Sequence, residues 1–491
     1  MTRDNIESPC FSVGFEPAAM GTVCHFSDRN KKMEDRVKQA IIEIVGKENY
    51  TESLIDLVSY SYDASDHDYR PEAAVWPATR EAVSAILALA NRHGFPVTPR
   101  GAGTGLAGAA VPAQGGLVLD LCRMNKLLDI RISDRLVIVQ PGVVYADLEK
   151  ALAPFGFFFP PDPASGTVCT LGGNVATNAG GIRGAKYGVT RDYVLGLEVV
   201  LPDGRIMHTG SRCMKSVSGY DLTRLFVGSE GTLGVITEIT LKINPKPTAR
   251  KTGLAQFAGL EQAGQAVIDI MRSGVIPSVL EVLDENTIRV LRERGGMNLP
   301  DVTAIILVET DGYTDAEVSF QMDKMVEAFG KNGALSVETA DSPEESEDLW
   351  RVRKMAGSVA GRLRPANVSE DVTVPMTKVP DLLTGISAIV RKHDLPFVIF
   401  GHAGDGNLHP KIMYDPSDPD QVKHVTEAVD QIFKLTCDLG GTLTGEHGIG
   451  LAKAPYMSLE HDTASLEVMR SIKKLLDPNN VLNPGKMNLD E

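Results

Sequence analysis

Two histidines flank a Gly-Asp-Gly turn in VIFGHAGDGNLHPKIMYD, at His402 and His409, between two apolar, strand-like runs. Residues on either side of such a turn can converge, so both imidazoles could bind one metal ion; the plainer alternative is a pair of hydrogen-bonded core histidines. Further on, TGEHGIG places Glu446 beside His447, ringed by glycines that leave room for a ligand. A histidine pair and a carboxylate make a three-ligand set with an open position. Such a set suits chemistry in which an ion polarises an oxygen while a neighbouring base takes its proton.

Glycine marks three further loops. In PRGAGTGLAGAAVP, Gly101, Gly103, Gly105 and Gly108 bring bare backbone close to something that side chains would push away, most often a phosphate. A Rossmann turn would open directly into a helix, whereas here Val111, Pro112 and AQGG lead into the strand-like LVLDL. Asp120 lies near the place of a ribose-binding acid but sits within that strand, so it reads as a decoy. No GxxxxGK[ST] loop occurs. The second loop, PPDPASGTVCTLGGNVATNAGG, adds Gly172, Gly173, Gly180 and Gly181, and the third, GSEGTLGVITE, runs from a glycine turn into a strand. Three small-residue loops at strand ends predict a long, flat ligand held mainly by backbone groups.

These loops need a scaffold, and the apolar spacing supplies one. REAVSAILALANRHG has helical periodicity and stops at Gly94, a C-cap. FPVTPR, GLVLDL, RLVIVQPG, YVLGLEVVLPDG and GVITEITLKI read as strands. A Pro-rich, basic seam at NPKPTARKTG precedes AGQAVIDIMRSG, TAIILVETDG and VSFQMDKMVEAFGKNG, the helix–strand–helix rhythm of a separate layer domain.

Length and charge bound what the chain can be. Its 491 residues suffice for two or three domains. A net charge of −15 argues against a broad nucleic-acid face. No apolar run is long enough to span a bilayer, and the N-terminal stretch lacks the apolar core of a signal peptide, so a cytoplasmic protein is expected, peripheral to the inner membrane only through a partner. The six cysteines are scattered without a CxxC, against both a disulfide framework and an iron–sulfur cluster. Cys10 and Cys24–His25 read as surface groups of a tail, with metal binding as the alternative.

In order, wording and spacing, the three loops resemble the vanillyl-alcohol oxidase superfamily, most closely its FAD-linked D-2-hydroxyacid dehydrogenases of the glycolate oxidase catalytic subunit and D-lactate dehydrogenase type. The resemblance covers nearly all of the chain after the tail. It implies an α+β fold, with a two-subdomain FAD-binding domain and an α+β cap (substrate) domain built on an antiparallel sheet. The corresponding division is a tail at 1–37, the FAD-binding domain at 38–245, the cap at 246–440, and a C-terminal segment at 441–491 that returns to the FAD domain.

The resemblance also assigns residues. Arg100, Gly101, Ala102, Gly103, Thr104 and Gly105 would wrap the FAD pyrophosphate. Pro161, Asp162, Gly172, Gly173, Asn174, Thr177 and Gly181 would line the ring system and ribityl chain. Glu230, Gly234 and Ile236 would sit by the adenosine half or beneath the cofactor, with Asn483 close by. Thr104 stands where some relatives carry a histidine bonded to the flavin, which implies non-covalent FAD. His402, His409 and Glu446 match ligands of a divalent metal (zinc, with iron or manganese as alternatives), His447 the catalytic base, and Asn407 a residue near the substrate.

In EDLWRVRKMAG, Arg353 matches a substrate-carboxylate arginine, against the plainer reading of a solvated helix face. Hydroxyglutarate-specific relatives add a lysine near the segment VSEDVTVP. Ser369 and Glu370 offer none here, so D-lactate or glycolate is expected, with D-2-hydroxyglutarate the alternative. No second redox centre is visible, so electrons are expected to pass to an iron–sulfur subunit, an electron-transfer flavoprotein or a quinone. Two other readings share the fold: a non-redox flavoenzyme such as an alkylglycerone-phosphate synthase, and a flavin-holding assembly subunit without turnover.

Overall fold

The computed structural model describes residues 33–490, so Cys10, Cys24 and His25 lie outside it. The first helix is Asp35–Val45, which begins inside the stretch read as a tail. Met33 and Val37 are buried with Ile41 in the same core as Ala73 and Val97, so the chain is already packed before residue 38.

The first sheet contains β1 (Tyr50–Thr51), β2 (Ala73–Val75), β3 (Val97–Arg100) and β4 (Leu117–Asp120) in the order β1-β2-β4-β3. The helix Arg80–His93 precedes β3. Thr79 caps it by accepting from Ala82 N, and Gly94, in the left-handed region, ends it. Strands β3 and β4 are parallel and are joined by the first glycine loop alone, with no helix between them. Asp120 faces inward and accepts from Tyr60 Oη and Cys122 N, a fixed structural acid.

Next come β5 (Leu127–Arg131), β6 (Leu136–Val139), β7 (Phe157–Phe158), β8 (Val194–Val200), β9 (Ile206–Gly210), β10 (Val235–Lys242) and β11 (Asn244–Pro245). An antiparallel sheet runs β5-β6-β10-β8-β9, while β7 and β11 form a short ribbon at the seam.

The largest sheet is antiparallel and contains β12 (Ala249–Phe257), β13 (Val279–Asp284), β14 (Ala304–Gly312), β15 (Ser336–Thr339), β16 (Ala366–Ser369), β17 (Val372–Thr373), β18 (Phe397–His402) and β19 (Asn407–Tyr414). Its order is β15-β12-β14-β13-β18-β19-β16, with β17 also on β19. One face is covered by the helices Leu260–Arg272, Asp315–Lys331, Val379–Lys392 and Pro419–Asp438. The other carries Val279, Leu283, Val398, Phe400 and Met413, under the helices Glu285–Gly295 and Pro343–Ala360. Because side chains alternate along a strand, this second face also receives Glu281, His402, His409 and Lys411.

The C-terminal segment comes back to the first sheet. Leu482 bridges Val97 in parallel, and Lys473 Nζ donates to Thr232 O and Leu482 O. No helix among the described residues is long and apolar enough to cross a membrane.

Gly234 and Ile236 belong to packing in this scaffold. Ile236 lies on β10 within the core of the second sheet, and a Cβ on Gly234 would stand 2.4 Å from Val199 Cγ1. Gly234→Ala should therefore cost about 1–3 kcal/mol by overpacking. Thermal denaturation with a flavin assay checks this, and the expected result is a lower midpoint with FAD still bound in the folded protein.

Candidate active site

The β18–β19 hairpin pairs Phe400 with His409 and His402 with Asn407, so the two histidines share one face of adjacent strands. Their rings lie 5.0 Å apart, nearly perpendicular. Each Nε2 is 3.5 Å from the same atom, Glu446 Oε1. Both imidazoles and Glu446 therefore converge on one point.

Asp371 organises the other side. This fully buried carboxylate accepts from Asn407 Nδ2 (2.7 Å), Thr444 Oγ1 (2.6 Å), Glu446 N (2.9 Å) and His447 N (2.8 Å). Lys453 Nζ stands 3.8 Å from both Asp371 and Glu370. Burial pushes Asp371 upward, but His447, Lys453 and His409 outweigh it and hold the carboxyl well below its ordinary range. The acids of VSEDVTVP thus lie against Lys453, which is itself buried. The His447 ring stacks on His409 at 5.2 Å with a 12° tilt. Burial lowers the His447 pKa despite Asp371, which favours a neutral imidazole.

The helix Pro343–Ala360 roofs this layer. Arg351 and Lys354 form surface pairs with Asp348 and Glu347, so a solvated face does exist, but Arg353 turns inward. Its Nε donates to Glu281, and its guanidinium lies over the Phe400 ring at 4.8 Å. The other oxygen of Glu281 meets His402 Nδ1. Burial alone would raise Glu281, yet Arg353 and His402 bring its carboxyl down to about 2.

Lys411, two residues beyond His409, makes one hydrogen bond, to Gly357 O at 3.4 Å, and no ion pair with a described carboxylate. Burial lowers its pKa. Arg353, Gly357, Phe400, His402, His409, Lys411 and His447 border a cavity of about 2430 Å³ that continues past Asp162 and Gly181 to Tyr69 and Gly94.

The glycine loops meet one another and the histidine hairpin. A Cβ on Gly101 would lie 2.3 Å from Thr170 Oγ1, and one on Gly181 2.1 Å from Asp162 O, which joins the first loop to the second and closes the second on itself. Gly180 stands against Glu446, and Gly184 against Asp405. Arg100 is different. Its guanidinium is tucked under the loop, bonding Ala110 O and lying against Gly103, so it braces the loop from inside. The Glu230 carboxylate is also engaged within the protein, accepting from Ile449 N and Gly450 N. Asn483 Nδ2 bridges Ala109 O and Glu230 O, and so ties the first and third loops together.

The structure's unpaired atoms test the two absent groups. Asp63 Oδ2, Asn174 Nδ2 and Asn483 Oδ1 are buried without hydrogen-bond partners around the glycine loops, where a flavin nucleotide offers both donors and acceptors. FAD fits this cradle. At the hairpin, both Nε2 atoms approach Glu446 Oε1, and Asp371, His409, Glu446 and His447 bring ligand atoms within 4.8 Å of one another. Asp371 already accepts four hydrogen bonds; His409 and Glu446 remain, and His402 joins them because its Nε2 lies 3.5 Å from Glu446 Oε1. A divalent cation fits there. Sequence spacing alone did not reveal Glu281, Asp371, Lys411 or Asp63 as part of this site; the one signal was a charged residue inside an apolar run, as in SVLEVLD and HPKIMY.

Comparison with known proteins agrees with this geometry. An FAD binding domain matches residues 71–210, and the C-terminal domain of FAD linked oxidases matches residues 246–487. The glycolate oxidase subunit GlcD of Bacillus subtilis is 43% identical across 92% of this chain and 96% of its own. The mitochondrial D-lactate dehydrogenase [cytochrome] of Arabidopsis thaliana is 35% identical across 85% of this chain and 73% of its own. Among solved structures, p-cresol methylhydroxylase superposes with a TM-score of 0.78 at 18% identity, covering 93% of this chain and 96% of its own. Alkyldihydroxyacetonephosphate synthase superposes with a TM-score of 0.71 at 20% identity, covering 96% and 88%. Both structures share the vanillyl-alcohol-oxidase-type fold.

The Asp371 network has a direct consequence for stability. Asp371→Ala strands two backbone N–H groups, an amide and a hydroxyl, and removes a counter-ion of Lys453, so it should destabilise the fold by about 3–5 kcal/mol. Chemical denaturation checks this, and a midpoint equal to that of the parent protein would contradict it.

Proposed function

Because the chain belongs to the FAD-linked oxidases, we propose that it oxidises a small D-2-hydroxy acid, D-lactate or glycolate, to the 2-oxo acid with FAD as electron acceptor. One observation carries this reading: a half-buried His447 stacked beside the His402–His409–Glu446 convergence, itself pressed against Gly180 of a glycine loop. Residues 38–245 with 441–491 would hold the flavin, and 246–440 would close over the substrate.

Bound non-covalently, FAD supplies the acceptor for the hydrogen and electron pair that leave the α carbon. A divalent ion held by His402, His409 and Glu446, zinc before iron or manganese, supplies Lewis acidity toward the substrate hydroxyl. The chain's own residues do the remainder. His447 takes the hydroxyl proton on its free ring nitrogen. Arg353, with Nε engaged by Glu281, turns its two terminal nitrogens to the α-carboxylate as a planar fork. Asn407 is held by Asp371 through its amide nitrogen and presents its carbonyl oxygen. The helix Pro343–Ala360 and Phe400 exclude water from the reacting carbon. Relatives bear the name of a subunit, which supports passage of the electrons to a partner protein or quinone.

Anaerobic mixing tests the reading: D-lactate or glycolate should bleach the flavin, and L-lactate should not. His402→Ala and His409→Ala should lose metal and keep FAD. His447→Ala should keep both, yet reduce its flavin about 10²–10⁴ times more slowly. Near-parental flavin reduction in that variant would remove His447 from the role of base.

Lys411 favours a second reading, D-2-hydroxyglutarate, because it offers the cavity an ammonium with no counter-ion. The small-acid reading expects D-lactate to exceed D-2-hydroxyglutarate in kcat/KM by roughly a hundredfold, because an unpaired carboxylate loses its hydration in a confined site. Steady-state kinetics with both acids, in the parent and in Lys411→Met, decides between them. Higher efficiency with hydroxyglutarate that collapses in Lys411→Met would replace lactate with the dicarboxylate.

A further inference from the structure

Glu281 touches none of the reacting groups above, and it is fully enclosed. It lies in the middle of β13, fully buried, directly opposite His402 on β18. An uncompensated carboxylate at such a place would be costly, so its two partners define what it does. One oxygen engages His402 Nδ1, and the other accepts from Arg353 Nε. Neither oxygen faces the cavity.

We propose that Glu281 is a positioning residue serving two groups at once, fixing His402 so that Nε2 faces a divalent ion and fixing Arg353 so that its terminal nitrogens face the substrate carboxylate. The inference rests on the metal and arginine assignments made above. Its logic is geometric. An imidazole can present only one nitrogen to an ion, and a carboxylate on the other nitrogen fixes both tautomer and ring orientation. A guanidinium held at Nε keeps its outer edge free for a second carboxylate. Because one anion carries out both tasks, whatever changes its charge balance on one side is felt on the other.

That shared anion gives the proposal its test. FAD-loaded protein is stripped with a chelator and titrated with Zn²⁺ against a competing indicator. Glu281→Gln should weaken Zn²⁺ binding by about 10- to 100-fold, since the amide is a poorer acceptor and leaves Arg353 unbalanced near the ion. It should also raise the KM for D-lactate while the FAD content stays at one per chain. Arg353→Met should do the opposite to the metal: with its cation gone, Glu281 acts on His402 alone and Zn²⁺ binds more tightly than in the parent, although lactate binding is lost. A general loosening of the fold would move both variants in the same direction, so opposite shifts identify the shared carboxylate.

If Glu281→Gln fails to fold, Arg353→Met and Glu281→Asp carry the test, with the aspartate expected to recover part of the metal affinity. Unchanged Zn²⁺ affinity in Arg353→Met, or in Glu281→Gln, overturns the proposal. Failure of the underlying assignment looks different: there the parent protein binds no Zn²⁺, or binds it equally well as His402→Ala.

Discussion

Asp371 is a single buried carboxylate to which two distant stretches of chain are tied. It collects the backbone of Glu446 and His447, the hydroxyl of Thr444 and the amide of Asn407, and it lies close to Lys453. Without it the segment after Thr444 would have no reason to run along the β18–β19 hairpin, because that segment is irregular and has no sheet partner of its own beyond a bridge at Thr442. Backbone N–H groups buried in such a segment must find an acceptor, and a carboxylate with two oxygens satisfies several at once. The position of Glu446 relative to the histidines follows from this contact.

A second constraint is the closeness of the flavin loops to the cap. Gly180, Gly184 and Gly448 each stand where a Cβ would strike a carboxylate, of Glu446, Asp405 and Glu230 respectively. Glycine is needed there because acids of one part of the chain press against the backbone of another. The same economy explains Asn483. Its backbone adopts a left-handed conformation, with φ near 45°, and its amide joins two glycine loops that lie 374 and 253 residues earlier in the chain. The loops that would hold FAD and the residues that would work on the substrate are therefore parts of one packed surface.

Local chemistry was legible in the sequence and long-range chemistry was not. His402 and His409 converge because a hairpin joins them, and the helix Arg80–His93 ends where Gly94 allows. The strand-end glycine loops and the absence of a Rossmann helix were visible for the same reason: each depends on neighbours within a few residues. Glu281 meets His402 across 121 positions, through strand register alone. Nothing in SVLEVLD announces that pairing. Arg100 and Ile236 show the reverse difficulty. Motif position suggested a ligand contact; to that it could not add that the guanidinium braces its own loop, or that alternation along β10 packs the isoleucine in the core. The tail boundary also moved, because Met33, just before the first helix, and Val37, within it, have their apolar partners in the first sheet.

Charge balance connects these pieces to the proposed chemistry. In the contact network, Glu281 pairs with Arg353, Asp371 lies beside Lys453 and Glu446 meets the two histidines, while burial pushes Glu370 toward its neutral form. Three carboxylates against two basic side chains leave one negative charge, and, although burial opposes it, Glu281 and Glu446 raise the His402 pKa well above its ordinary range. His409 shifts the other way: burial and the His402 charge bring it down to about 3. A divalent ion in place of the His402 proton would leave the network one positive charge in excess, which a single substrate carboxylate neutralises. On this count the network suits a monoanionic hydroxy acid, and a dianion would need one cation more. Lys411 stands outside the network, with no ion-pair partner among the described carboxylates and bordering the same cavity, so the choice between the two substrates reduces to whether that ammonium keeps its proton beside a second carboxylate.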